Sequence, residues 1–183
     1  MSVRRARIAA EAAILLTAIL TTSVFAALPA GAAKVKKLKV TSPAFADNQP
    51  IPEGFTCDGA NASPPLRLAK VPKSTKDRAL IVTDPDAPSG TIVHWVAWHL
   101  PKRGLPEQNV PAEVAQGKNT LGNQGWNGPC PPRGSPPHHY IFTVDAVSKK
   151  IDLAAGASAD DLRAAIKGKI VAEGKLTGTY QRA

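Results

Sequence analysis

Proline is the sequence feature that most limits how this chain can fold. Seventeen of the 183 residues are proline, nearly twice the usual share. Because proline lacks a backbone N–H and clashes with the preceding helical turn, it disfavours long uninterrupted helices. Hydrophobic residues nevertheless make up 43% of the chain, which is enough to form a core and excludes a disordered protein. We therefore expect short elements joined by proline-rich loops.

Short apolar segments bounded by proline, glycine, aspartate or serine predict the strands. They cover residues 38–41, 79–83, 91–100, 140–147 and 170–180. Long loops of the kind that usually carry function separate them at residues 42–65, 101–111 and 121–137.

A single convincing helix is indicated late in the chain. Ser158 is a candidate N-cap, Asp161 lies three residues later as in a capping box, and an apolar stripe ends before Gly168. Because the strands come first and the helix comes late, the sequence predicts a mainly β fold with antiparallel sheets and one or two peripheral helices.

The first 32 residues have the anatomy of a secretory signal peptide. Three arginines precede residue 8, an apolar stretch follows at residues 12–28, and Ala30-Gly31-Ala32 is a small-residue cleavage pattern. A retained membrane anchor is the alternative, although the apolar stretch is of marginal length and is interrupted by threonine and serine. We predict export to the periplasm or the medium, with a signal peptide at residues 1–32 and a mature domain at residues 33–183.

The mature chain is basic. Removing three arginines and Glu11 with the leader leaves 20 of 23 basic and 13 of 14 acidic residues, a net charge of +7. The excess is scattered and lacks the basic stripe and stacking aromatics of nucleic-acid-binding proteins, so no nucleic-acid partner is expected. A solvated surface is the simpler interpretation, and peripheral contact with an anionic membrane surface is the alternative.

Cys57 and Cys130 are the only cysteines. Export would place them where disulfides persist, which favours an intramolecular pair. Two buried free thiols are the alternative.

Two segments in the first half of the mature chain carry candidate functional residues. Asp84 and Asp86 form Asp-Pro-Asp directly after an apolar strand, a pattern that on its own is more typical of a turn. His94 lies in the next strand, where strict alternation places it on the face of Val96 and Trp98. A lone histidine on an apolar strand is more often structural than functional.

A third segment combines a proline-rich and glycine-rich loop with the start of a strand. Residues 128–134 lead into His138 and Tyr140, which share a face because they are two residues apart. Imidazole and phenol are hydrogen-bond donors suited to an anionic oxygen and need no metal. Taken alone, this segment too favours an ordinary turn followed by a strand.

Together, the three segments resemble, in order and spacing, the signature segments of the phosphatidylethanolamine-binding protein family. They lie at residues 84–88, 94–100 and 131–142. Residues 56–59 and 63–66 are similar to an early segment of the bacterial and archaeal branch, often labelled Raf-kinase-inhibitor-like. The resemblance spans residues 38–181.

The resemblance implies a phosphatidylethanolamine-binding-protein-like fold of two antiparallel sheets, with a pocket at strand ends for phosphate, acetate or the phosphoryl group of phosphoethanolamine. Matched motif by motif, the implied ligand-binding residues are Asp84, Asp86, His94, Gly128, Cys130, Pro132, His138 and Tyr140. His139 departs from the family, which usually has arginine there, but alternation points it away from the pocket.

The leading interpretation is an exported, non-enzymatic protein that binds a small anionic or phosphorylated ligand and modulates a protein partner. The alternative is an inhibitor or regulator that acts through its surface, because the resemblance implies kinase or protease inhibition. A hydrolase is less favoured, since the sequence has neither Gly-x-Ser-x-Gly nor His-Glu-x-x-His. No cofactor or metal is expected, although Asp84, His94 and His138 are chemically able to bind a metal ion.

Overall fold

The computed structural model describes residues 34–183, so the predicted signal peptide lies outside the described residues. Within them the chain forms ten strands, one α-helix and a short 3-10 helix. The strands are β1 (Lys36–Lys37), β2 (Lys39–Thr41), β3 (Gln49–Pro50), β4 (Leu66–Ala69), β5 (Asp77–Asp84), β6 (Ile92–Trp98), β7 (Gly104–Leu105), β8 (Ala115–Gln116), β9 (His138–Val147) and β10 (Ile170–Tyr180). The helices are the 3-10 helix Glu53–Phe55 and α1 (Ala159–Ile166).

Seven strands form a large sheet, and β2, β4 and β7 form a small antiparallel one. The large sheet has the order β1-β10-β9-β5-β6-β8, and β3 also pairs with β10. Its long strands pair antiparallel, whereas the two-residue strands β1 and β3 run parallel to β10. The prediction of a mainly β fold with antiparallel sheets is confirmed, and the two short parallel pairings add to it.

The two sheets enclose the main core. Buried members from the small sheet and from the large sheet include Val40, Leu66, Leu105, Leu80, Val82, Trp95, Phe142 and Val144. Strand β5 occupies the middle of the large sheet and is buried along almost its whole length. Its near-continuous apolar run reflects burial on both faces, as in any strand covered on two sides.

Helix α1 covers the other face of the large sheet. Leu162 and Ile166 are buried there with Val96 and Trp98 of β6, and each buried aliphatic side chain contributes about 1.5–3 kcal/mol. The predicted capping box is present, because the Ser158 hydroxyl accepts from the backbone N–H at the third helical position and the carboxylate of that residue accepts from the Ser158 N–H. This helix lies against the sheet face away from the main core.

Strand β6 contains a β-bulge that changes the direction of His94. Val82 of β5 pairs with Trp95, but Thr83 pairs with Val93, so His94 is an extra residue in β6. His94 packs edge to face against Tyr140, with ring centroids 5.1 Å apart. The alternation that placed His94 with Val96 and Trp98 was therefore wrong, because those two side chains lie on the α1 face.

Candidate functional site

Three neighbouring strands bring four of the predicted site residues to one edge of the large sheet. Strand β5 lies between β9 and β6 and runs antiparallel to both, so its last residue meets the first residues of its neighbours. Asp84 ends β5, His138 and Tyr140 begin β9, and His94 lies early in β6. All four side chains are buried.

Asp84 is a buried carboxylate that is hydrogen-bonded through both oxygens. Its Oδ2 accepts from His138 Nδ1 at 2.8 Å, and its Oδ1 accepts from the backbone N–H of Asp86 at 2.8 Å. Of the two histidines at this edge, His138 is the one hydrogen-bonded to Asp84. Because a carboxylate only accepts, the pair fixes the ring orientation of His138 and leaves Nε2 as its remaining polar atom.

His94 is held by the loop that precedes β9. Its Nδ1 donates to the carbonyl of Asn127 at 2.7 Å, and the Asn127 N–H donates back to the carbonyl of His94 at 3.0 Å. Burial is the main cause that lowers the pKa of His94, which favours the neutral ring. In that form Nε2 carries a lone pair rather than a hydrogen, so His94 presents an acceptor there.

Tyr140 places a phenol beside this acceptor. Its side chain is fully buried, and burial raises the pKa of its hydroxyl, which therefore stays protonated. Tyr140 Oη and His94 Nε2 are both buried and have no hydrogen-bond partner among the described residues. Since buried polar atoms are normally hydrogen-bonded, the donor of Tyr140 and the acceptor of His94 leave unmet hydrogen-bonding capacity on two rings that are in contact.

Asp86 adjoins this cluster through its backbone N–H, but its carboxylate lies at the surface. Its carboxylate accepts from both the backbone N–H and Nδ1 of His139, each at 2.7 Å, and the two side chains are 41% and 52% exposed. These hydrogen bonds are the main cause that lowers the pKa of Asp86. His139 points away from Tyr140 as alternation predicts, and it supplies an outer pair for Asp86.

A disulfide joins the two long loops beside the site. Cys57 and Cys130 are bonded, with their Cα atoms 5.4 Å apart, and the described residues contain no free cysteine. The predicted pairing is confirmed. Cys57 N–H also donates to the carbonyl of Pro129 at 3.1 Å, whereas Cys130 and Pro132 themselves are exposed.

Gly128 lies at a second point of contact between these two loops. Its N–H donates to Asn61 Oδ1 at 2.7 Å, and an added Cβ would clash with the Phe55 carbonyl and with Asn61. Asn61 and Asn127 are site-building residues that the sequence analysis missed. Both act through contacts distant in sequence, and no local pattern signals them.

The C-terminal segment fastens the disulfide-bearing loop from the other side. Asp58 accepts two hydrogen bonds from Arg182 Nε and one from its Nη2, at 2.8–3.0 Å, and one from the Tyr180 hydroxyl at 2.7 Å. The Arg182 hydrogen bonds are the main cause that lowers the pKa of Asp58. No local sequence pattern marks these residues as contacts of that loop.

The family model described as phosphatidylethanolamine-binding protein matches residues 41–181. The chain belongs to the phosphatidylethanolamine-binding protein family. This confirms the resemblance seen in the sequence and covers most of the described residues.

Similar proteins support the family and its fold. The UPF0098 protein PH1269 of Pyrococcus horikoshii is 41% identical over 160 residues, covering 83% of this chain and 80% of the relative. A candidate lipoprotein of Mycobacterium tuberculosis, LppC, is 39% identical over 162 residues, covering 87% of this chain and 79% of the relative. The crystal structure of a candidate phosphatidylethanolamine-binding protein homologue, CT736 of Chlamydia trachomatis, matches with a TM-score of 0.76 at 34% identity, covering 81% of this chain and 99% of that one.

The names of these family relatives describe no enzymatic activity. Among residues 34–183, no helix has both the length and the apolar character needed to span a membrane. The same residues contain no cluster of three or more histidine, cysteine or acidic side chains placed to hold a metal ion.

Proposed function

We propose that this family member is an exported, non-enzymatic protein that binds a small anionic or phosphorylated ligand beside Asp84, His94, His138 and Tyr140. The observation that carries the proposal is the adjacent pair of buried, unpartnered atoms, His94 Nε2 and Tyr140 Oη. Next to them, His138 is held by Asp84 and keeps Nε2 for a ligand. The proposal places one phosphate group against these atoms.

The charge arrangement is compatible with an anion. Asp84 is paired with His138, and Asp86 is paired with His139 at the surface. Two unpaired carboxylates would repel an anion, but here each carboxylate faces a histidine. These hydrogen bonds give each carboxylate a partner other than the anion, which reduces the repulsion of a phosphate at the end of β5.

The available side chains support binding rather than catalysis. Both cysteines are consumed by the disulfide, and the buried Tyr140 hydroxyl stays protonated because burial raises its pKa. Covalent catalysis needs an activated nucleophile, and neither group supplies one.

Calorimetric titration tests the proposal. Inorganic phosphate or phosphoethanolamine should bind the parent, while Tyr140→Phe and His138→Ala should bind more weakly by about 1.5–3 kcal/mol, the range for hydrogen bonds to charged groups. That loss corresponds to roughly ten-fold to over a hundred-fold in affinity. His139→Ala is the matched control and should bind like the parent, because its side chain lies at the surface.

Equal weakening by all three substitutions, or none by any, would contradict the pocket. The latter outcome would favour the alternative of an inhibitor or regulator acting through its surface. Modulation of a protein partner and contact with an anionic membrane stay predictions.

Export is the second part of the proposal. The leader pattern, a disulfide of the kind that persists outside the cytosol and a relative named as a candidate lipoprotein support it. N-terminal sequencing of exported protein should begin at Ala33 or within a few residues of it. A first residue of Met1 or Ser2 on membrane-bound protein would establish the anchor instead.

A further inference from the structure

The backbone partner of His94 determines which of its ring nitrogens carries the hydrogen. A carbonyl can only accept, so the 2.7 Å contact with the Asn127 oxygen requires the hydrogen on Nδ1. The other neutral tautomer would place two acceptors face to face, and the imidazolium form is disfavoured by burial, which lowers the pKa of His94. His94 therefore offers the pocket a lone pair on Nε2.

Tyr140 offers a hydrogen-bond donor, whereas His94 offers an acceptor. Its buried hydroxyl is protonated and has no acceptor among the described residues. The two rings meet edge to face with centroids 5.1 Å apart, and the function proposed above places one tetrahedral group against both atoms. That group satisfies both only if it accepts from Tyr140 and donates to His94.

This requirement separates oxyanions by whether they keep a proton. A phosphate or phosphate monoester monoanion carries both P–O⁻ and P–OH, whereas sulfate, of similar shape, presents only acceptors in mildly acidic and neutral water. Against sulfate, the His94 lone pair would face another lone pair in a buried site, and such unpaired contacts are strongly rejected.

We propose that the pocket selects oxyanions that retain an acidic proton, with that proton donated to His94 Nε2 while Tyr140 donates to another oxygen of the same group. The inference rests on the anion-binding function proposed above and adds to it a class of ligand. The shared chemistry is a protonated phosphoryl group, which either free phosphate or a phosphoethanolamine head can supply.

Four probes at about pH 6, near the second pKa of a phosphate monoester, test the inference by calorimetry on the unmodified protein. They are inorganic phosphate, phosphoethanolamine, inorganic sulfate and ethanolamine O-sulfate. Both phosphates should bind, and both sulfates should bind about a hundred-fold more weakly or not at all. A preference between the two phosphates would identify which source the pocket favours.

The outcomes separate this inference from the proposed function. Equal binding of phosphate and sulfate would overturn the proton requirement while leaving anion binding in place. Binding of ethanolamine O-sulfate as tightly as phosphoethanolamine would also overturn it, because the ammonium group would then be the donor to His94. If none of the four binds, the proposed function itself fails.

A substitution at His94 gives a second readout. In His94→Gln the side-chain amide can turn either its N–H or its C=O towards the ligand, so the gap between phosphate and sulfate should shrink to about ten-fold or less. His139→Gln is the matched control at the surface and should keep the full gap. An unchanged gap in a folded His94→Gln protein would mean that another residue provides the discrimination.

Discussion

Strand β5 carries a histidine-paired carboxylate at each end, and the two ends differ in what lies beside the pair. At the Asp84 end, Oδ2 meets His138 Nδ1 at 2.8 Å. At the opposite end, Asp77 Oδ2 meets His99 Nδ1 at 2.7 Å. The pairs are almost identical in geometry, so a histidine–carboxylate contact alone does not distinguish a binding site from a structural device.

The Asp77 pair serves as a structural tie. Asp77 also accepts from the backbone N–H of Arg78 at 2.8 Å and of Ile151 at 2.9 Å, which fastens the loop after β9 to the start of β5. Arg78 Nε is buried without a partner there, but it is a donor only, and the guanidinium already binds the Leu100 carbonyl.

Surface shape alone would favour the Asp77 end as a binding site. The Asp77 end opens on a groove of about 560 Å³ whose lining includes Lys76, Glu113 and Lys150. The Asp84 end instead has an unpartnered donor on Tyr140 and an unpartnered acceptor on His94, whose rings are in contact. Unmet hydrogen-bonding capacity, rather than groove size or charge, is the feature on which the proposal of ligand binding at the Asp84 end rests.

The largest loss of stability is expected when the disulfide beside the Asp84 end is removed. The double variant Cys57→Ser, Cys130→Ser opens a loop spanning 73 residues, and loop-closure entropy for that length gives a loss of about 4 kcal/mol in the free energy of unfolding. Urea denaturation against the oxidised parent measures it, and phosphate affinity should fall as well because both loops beside the site are freed. A loss below about 1 kcal/mol would contradict the loop-closure account of this disulfide.

Breaking the Asp77 pair should lower stability and leave phosphate affinity nearly unchanged. Asp77→Ala leaves the His99 ring and two backbone N–H groups without their acceptor, and we expect about 3 kcal/mol of destabilisation. Phosphate affinity of the folded protein should stay within about two-fold of the parent, since the site lies at the other end of β5. Loss of phosphate binding by this variant at a temperature where it is folded would contradict the assignment of the two ends.

Most of the strands and the helix that frame this comparison could be predicted from the sequence. The strands that could not be predicted were missed for physical reasons. Apolar runs indicated all the long strands, and Ser158 with Asp161 indicated the helix start, because both signals are local. Strands β3, β4, β7 and β8 are two to four residues long, too short for periodicity to appear. Their existence depends on pairing partners distant in sequence.

The site was predicted by residue type better than by geometry. His138 and Tyr140 share a face by alternation, which holds along the regular strand β9. His94 breaks alternation because of the bulge opposite Thr83, and nothing in the local sequence marks a bulge there. Its hydrogen-bonding sense depends on the carbonyl of Asn127, a backbone atom that carries no residue signature.

A third buried carboxylate, Asp145 on β9, sharpens the comparison because it has no histidine. Its Oδ1 lacks a partner, and burial, followed by the nearby Glu173, raises its pKa to about 6. The folded state therefore binds more protons than the unfolded state between about pH 4 and pH 6, and stability falls as pH rises through that window. Ionised Asp145 should cost roughly 2 kcal/mol at neutral pH.

Asp145→Asn should remove this cost. The variant should be more stable than the parent by about 2 kcal/mol at pH 7, and the difference should shrink towards pH 4, where Asp145 is protonated in the parent too. Urea denaturation of both proteins across this range measures it. A difference that does not vary with pH would mean that Asp145 is not the titrating group.

The smallest expected change in stability is a gain from a substitution at the Asp84 end. Tyr140→Phe deletes a buried hydroxyl without a partner and keeps the ring that packs against His94, so in phosphate-free buffer the variant should be more stable by about 1 kcal/mol. Saturating phosphate should reverse the order, because a ligand stabilises the protein that binds it more tightly. Thermal denaturation with and without phosphate would reveal the crossover. A variant that is less stable without ligand would show that the hydroxyl already has a partner inside the protein, and the distinction between the two ends of β5 would then lose its basis.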